Sequence, residues 1–217
     1  MTNPRQHEAL IDALGAELTP VRRLLPPWLR TVGWLLVVVA IAGVLFMHYG
    51  VTPMMQRLAG APDLAWAGVG ALVTAVTAAW AAFALSVPGR RAVWAWLPLP
   101  SLLLWIGASG LGCMRPWLAP GTHLSTLHEA PDCLGFIVGF SVPLSALLIV
   151  LLRRACPLRP VLTAVMAGLA SAAASASLLV ICHAFEATVT DLLAHALAVG
   201  IVVTANVAMS GRLLSRM

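Results

Sequence analysis

The 217-residue chain has no lysine, one tyrosine (Tyr49) and only 10% charged residues. Soluble domains carry about 25% charged residues. The shortage of charge, beside 60% hydrophobic residues and a mean hydropathy of +0.93, excludes an ordinary soluble globule and indicates an integral membrane protein. With lysine missing, all 13 basic residues are arginine, and the formal charge is +5. That charge alone would suit nucleic acid, but the arginines gather at the ends of apolar runs, six of them in adjacent pairs. This placement marks membrane topology, so no direct contact with nucleic acid is expected.

Enzyme signatures are missing too. There is no Cys-x-x-Cys pair, no His-Glu-x-x-His motif, no phosphate-cradling glycine loop and no Ser/His/Asp arrangement in a recognisable context. Catalysis and a required cofactor are therefore not expected. A cleavable signal peptide is not expected either, because residues 1–29 are polar and the first apolar run is long enough to span.

What the chain does have is six apolar runs, at about 30–49, 64–87, 92–113, 134–152, 161–182 and 187–209, each near the ~20 residues of a helical span. The expected fold is an all-α membrane protein, a six-helix transmembrane bundle over 30–217 preceded by a cytoplasmic segment, 1–29. Six spans place both termini on one side. Arg5, Arg22, Arg23, Arg30, Arg90, Arg91, Arg153, Arg154, Arg159, Arg212 and Arg216 fall on that side, against Arg57 and Arg115 on the other, which predicts cytoplasmic termini. Prolines in the third run (Leu97-Pro98-Leu99-Pro100) and the fourth (Pro143) are expected to make ordinary helix kinks. In the fifth run Ala164, Gly168, Ala172 and Ala176 form a small-residue seam that lets backbones approach closely, which predicts that this helix lies in the middle of the bundle.

In the first segment, Asn3 and Pro4 suit an N-cap and first helical residue, and Leu10, Ile11, Leu14 and Leu18 recur at helical spacing. Glu8, Asp12 and Glu17 fall mostly off that stripe, and Pro20 is expected to end the helix. Two occupants suit such an amphipathic helix: a protein groove or the lipid surface.

The remaining polar residues sort to the other face. Asp63, Glu129, Asp132, Glu186 and Asp191 map there, as do His48, His123, His128, His183 and His195 and the thiols Cys113, Cys133 and Cys182. Cys133 begins the fourth span and Cys182 ends the fifth, so antiparallel neighbours would bring them to similar depth. Three outcomes stay open: a disulfide if the Cα atoms approach to about 4.4–6.8 Å, a transient thiolate and imidazole site for a transition metal with His183, or inert packing. Cys113 is a third thiol on this face, and Cys156 lies in the opposite, Arg-rich loop. Glu186, Asp191 and His195 are candidate supporting groups, with Asp191 and His195 four residues apart on one helical face. The 114–132 loop reads as a solvated connector.

Several of these stretches together resemble the NrsF family: Leu10-Ile11-Asp12-Ala13-Leu14, then Pro20-Val21-Arg22-Arg23-Leu24 and Pro26-Pro27, the Arg153-Arg154 and Pro157-Leu158-Arg159-Pro160 loop, and Cys182-His183. The resemblance implies a six-span anti-sigma factor of the bacterial inner membrane, holding an extracytoplasmic-function sigma factor inactive until stress arrives. It further implies that Cys133 and Cys182 sense heavy-metal or oxidative stress. It favours a sigma factor over lipid as the occupant of the N-terminal helix, with Leu10, Ile11, Leu14 and Leu18 as anchors and Glu8, Asp12 and Glu17 as charged complements. Where family members often carry a proline-acid step after Cys-His, this chain has Ala184-Phe185-Glu186. Two other classes compete. A small metal or solute transporter would need ionisable groups along a continuous path, and a thiol-dependent membrane redox protein would need a Cys-x-x-Cys pair.

Overall fold

Prolines start four of the eight described α-helices, as their fixed φ and missing N–H suit a first helical turn. The structure, a computed structural model, describes residues 4–16, 24–118, 130–155, 157–182 and 189–213. Pro4, Pro27, Pro62 and Pro160 are the first residues of α1 (Pro4–Ala16), α2 (Pro27–Tyr49), α4 (Pro62–Leu85) and α7 (Pro160–Cys182). Between α2 and α4 lies a short helix, α3 (Thr52–Gly60), followed later by α5 (Leu99–Leu118), α6 (Ala130–Arg153) and α8 (Val189–Leu213). Gly50, at φ +77°, turns the chain out of α2, its amide donating to the Phe46 carbonyl at 2.9 Å.

Among the described residues, six helical segments are long and apolar enough to cross a membrane, with edges within a few residues of the six apolar runs. Two details differ from expectation. The prolines of the third run do not kink a continuous helix: residues Ala92–Trp96 form a 3-10 turn and α5 starts only at Leu99, so Pro98 and Pro100 sit at a helix start, where a missing N–H costs little. The other difference is α3, a short helix with no buried side chain along its length. Pro143 does lie inside α6.

The helices alternate in direction. The start of α2 meets the ends of α4 and α6, through Arg30 with Ser86 and Leu151. The starts of α4 and α8 meet the end of α7, where Asp63, His195 and Val180 share a cavity. The bundle thus has an Arg30 end and an opposite, Cys182 end.

The core is built on α4 and α7, whose alanines, serines and glycines are buried along most of their length. Small side chains let backbones touch. A Cβ on Gly70 of α4 would meet the Trp105 backbone of α5 at 2.7 Å, and one on Gly168 of α7 would meet Val203 Cα of α8 at 2.8 Å. Hydroxyls and an amide also bind between helices: Ser141 of α6 to Ser175 of α7 at 3.1 Å, Thr74 of α4 to Ser101 of α5 at 3.0 Å, and Asn206 Nδ2 of α8 to Ser145 Oγ of α6 at 3.0 Å. The outer faces are apolar instead, with Val44, Leu103, Leu111, Val142 and Leu197 exposed. Polar groups turned inward and apolar side chains turned outward suit a lipid surround.

Candidate functional site

At the Cys182 end, α7 finishes on its thiol. Cys182 is half-buried, and its S–H reaches the carbonyls of Leu179 at 3.6 Å and Leu178 at 3.9 Å. The neighbouring carbonyls of the last turn, which lack intrahelical donors, are met from α3. Arg57 Nη2 donates to Val180 O at 3.4 Å and Ile181 O at 3.3 Å, and its Nε to Pro53 O at 3.2 Å. The guanidinium faces the negative end of the α7 dipole, the favourable position for a cation. Desolvation by burial lowers the Arg57 pKa from its ordinary value, and the nearby Cys182 acts the other way.

Cys133 stands in the first turn of α6, 1% exposed, inside the core cluster on which Cys182 also packs. No disulfide joins Cys133 to Cys182 in the structure. The antiparallel arrangement places them at the same end of the bundle, as their spacing suggested. His183 and Glu186, and the side chains of Cys113 and Asp191, lie outside the described residues. Among the described residues no group of three or more His, Cys, Asp or Glu is arranged to hold a metal ion.

His195, half-buried in the second turn of α8, lines a cavity of about 70 Å³ together with Asp63, Trp105, Ser109 and Val180. The carboxylate that the fold brings to this cavity is therefore Asp63 of α4. Sequence spacing had pointed only to Asp191, since an i,i+4 pattern finds neighbours on one helix and not across a bundle.

The Arg30 end holds a residue that the sequence presented only as a topology marker. Arg30 is 6% exposed. Its Nη1–H donates to Ser86 Oγ at 3.2 Å and its Nη2–H to the Leu151 carbonyl, while its guanidinium lies 4.5 Å from the centre of the Phe83 ring. Ser86 is the C-cap of α4 and Leu151 lies in the last turn of α6. Among the described residues the buried cation is thus compensated by two helix C-termini and a π face, not by a carboxylate. Four residues on, Trp34, fully buried, donates from Nε1 to the Leu144 carbonyl of α6 at 3.2 Å. Only the fourfold spacing of Arg30 and Trp34 on one helical face hinted at this.

Ahead of α2 in the chain stands α1. Every described side chain from His7 to Ala16 is exposed, including Glu8, Leu10, Ile11, Asp12 and Leu14. Leu10, Ile11 and Leu14 expose 57%, 65% and 58% of their surface, so this apolar stripe is not satisfied within the chain. Glu17 and Leu18 lie outside the described residues.

Among the described residues, six long apolar helices with inward polar contacts are compatible with a multi-pass membrane protein, and a separate amphipathic helix with an exposed apolar stripe precedes them. The sequence model of the NrsF family, described as negative regulator of sigma F, matches residues 14–215. The chain belongs to the NrsF family. Its class is therefore that of negative regulators of a sigma factor, which makes a sigma factor the partner and regulation rather than catalysis the activity. No curated protein and no solved structure matches the chain.

Proposed function

We propose that the chain is an anti-sigma factor of the bacterial inner membrane that holds an extracytoplasmic-function sigma factor on its N-terminal segment. Release follows when Cys133 and Cys182 react at the periplasmic end with a heavy metal or an oxidant. The observation that carries the reading is the exposed stripe of Leu10, Ile11 and Leu14 on α1, in a chain of a sigma-regulator family. An amphipathic helix of this kind binds by laying anchors at i, i+1 and i+4 into a groove. Glu8 and Asp12, both exposed, complement a basic partner surface and disfavour an anionic lipid surface. The arginine distribution supports cytoplasmic termini, which puts α1 on the partner's side and the thiols on the oxidising side.

The two faces must then be coupled by differential stabilisation. Moving from 99% bound to 99% free takes about 5.5 kcal/mol. A disulfide contributes about 2–4 kcal/mol, a shift of about 30- to 1000-fold, whereas metal ligation can supply more. Thiol oxidation therefore switches a regulator poised near balance, and metal ligation switches a more tightly biased one. Replacing both cysteines by serine tests the input. The account expects induction by metal or oxidant to disappear while sigma binding persists; unchanged induction would sink the sensing role.

A further inference from the structure

We infer that Arg30 is the positioning residue through which the bundle holds, and on a signal releases, the N-terminal segment. The inference rests on the reading that this segment binds the sigma factor. Arg30 is the fourth residue of α2, at the root from which the segment departs. Its contacts go to the end of α4 (Phe83, Ser86) and the end of α6 (Leu151). Helix α6 runs from Cys133 at the other end to Leu151, 18 residues or about 27 Å later. Trp34 fixes α2 to the same helix at Leu144, so α2 grips α6 at two carbonyls two turns apart.

The chemistry of the contact makes it an all-or-none element. Among the described residues no carboxylate faces this guanidinium, and its burial is tolerable only while both helix ends and the ring stay aligned with it. A shift or rotation of α6 takes the Leu151 carbonyl away, and the cation must then re-solvate, which moves the start of α2. Bundle motion is thereby turned into motion of the segment. A flanking arginine that served only as a topology marker would need none of these contacts.

The test uses the full chain in detergent, bound to the sigma factor that co-purifies with it, and N-ethylmaleimide as the thiol probe. Arg30→Gln is expected to capture the sigma factor but to hold it more loosely before alkylation, and to gain about tenfold less in release rate on alkylation, within the range for residues that carry coupling. Arg30→Lys, which retains the cation over Phe83 but not the two-pronged donor, is expected to recover part of that gain. Ser86→Ala, which removes one contact of three, should be intermediate, and it carries the test if Arg30→Gln does not fold. A wild-type gain in release rate in Arg30→Gln, or in Ser86→Ala where Arg30→Gln does not fold, overturns the inference. If alkylation fails to release the partner from the wild type, the thiol reading is what fails. Arg30 is then read without partner or inducer, from tryptic cleavage after Arg22 and Arg23. Cleavage about tenfold faster in Arg30→Gln at equal melting temperature supports the inference, and equal cleavage overturns it.

Discussion

Gly168→Ala probes the packing on which the whole bundle depends. The added methyl would sit 2.8 Å from Val203 Cα, 3.3 Å from Val203 Cγ2 and 3.4 Å from Asn206 Cβ. Carbon atoms rest at about 3.5–4.0 Å, and the nearest obstacle is backbone, which no rotamer change can move. Helices α7 and α8 must therefore separate locally by about 1 Å. That separation strains the bond from Asn206 to Ser145, 3.0 Å long between α8 and α6. Overpacking of this kind costs about 1–3 kcal/mol, and the better helix propensity of alanine returns up to about 1 kcal/mol. The expected net loss is about 0.5–2 kcal/mol, read as reversible unfolding in mixed micelles. Gly139→Ala in α6, where nothing lies within 4 Å of the new methyl, is the control and should be neutral or slightly stabilising. A Gly168→Ala protein as stable as the wild type, beside a destabilised Gly139→Ala, would refute the close-approach reasoning.

Other consequences follow from the same geometry. A double-mutant cycle on Ser141 and Ser175, whose hydroxyls lie 3.1 Å apart, should return a coupling near 0.6 kcal/mol, typical of interhelical polar pairs in membranes. Arg57→Ala removes the donor to Val180 and Ile181 and should cost about 0.3–1 kcal/mol. Faster hydrogen exchange confined to the last turn of α7 would report that loss. The double change Cys133→Ser and Cys182→Ser should abolish induction by metal or oxidant while leaving partner capture intact, as measured by a reporter in stressed cells and by co-purification.

The features legible in the sequence are those fixed by local chemistry. Length and hydropathy mark out the six long apolar helices, because a segment suited to lipid must satisfy its own backbone. The central place of α7 follows from its small residues, because only such a surface accepts neighbours on every side. The stripe of Leu10, Ile11 and Leu14 was visible for the same reason, as helical periodicity is local. The features that escaped depend on long-range contacts. Arg30 reads as a topology marker until its partners, 53 to 121 residues away, are known. Arg57 looks like a stray far-face charge until α3 folds it against the end of α7. The cavity joining Asp63 to His195 is made by four helices, so no pattern along one of them reveals it. Helix α3 escaped because it is short and polar on much of its surface, below the length at which apolar periodicity stands out.

The central claim, that α1 is where the partner binds, is tested most directly by purifying the full chain and a chain lacking residues 1–20 from the same membranes. The account predicts that a sigma factor accompanies the full chain and is absent from the shortened one, with both bundles equally stable. Undiminished sigma capture by the shortened chain would contradict it.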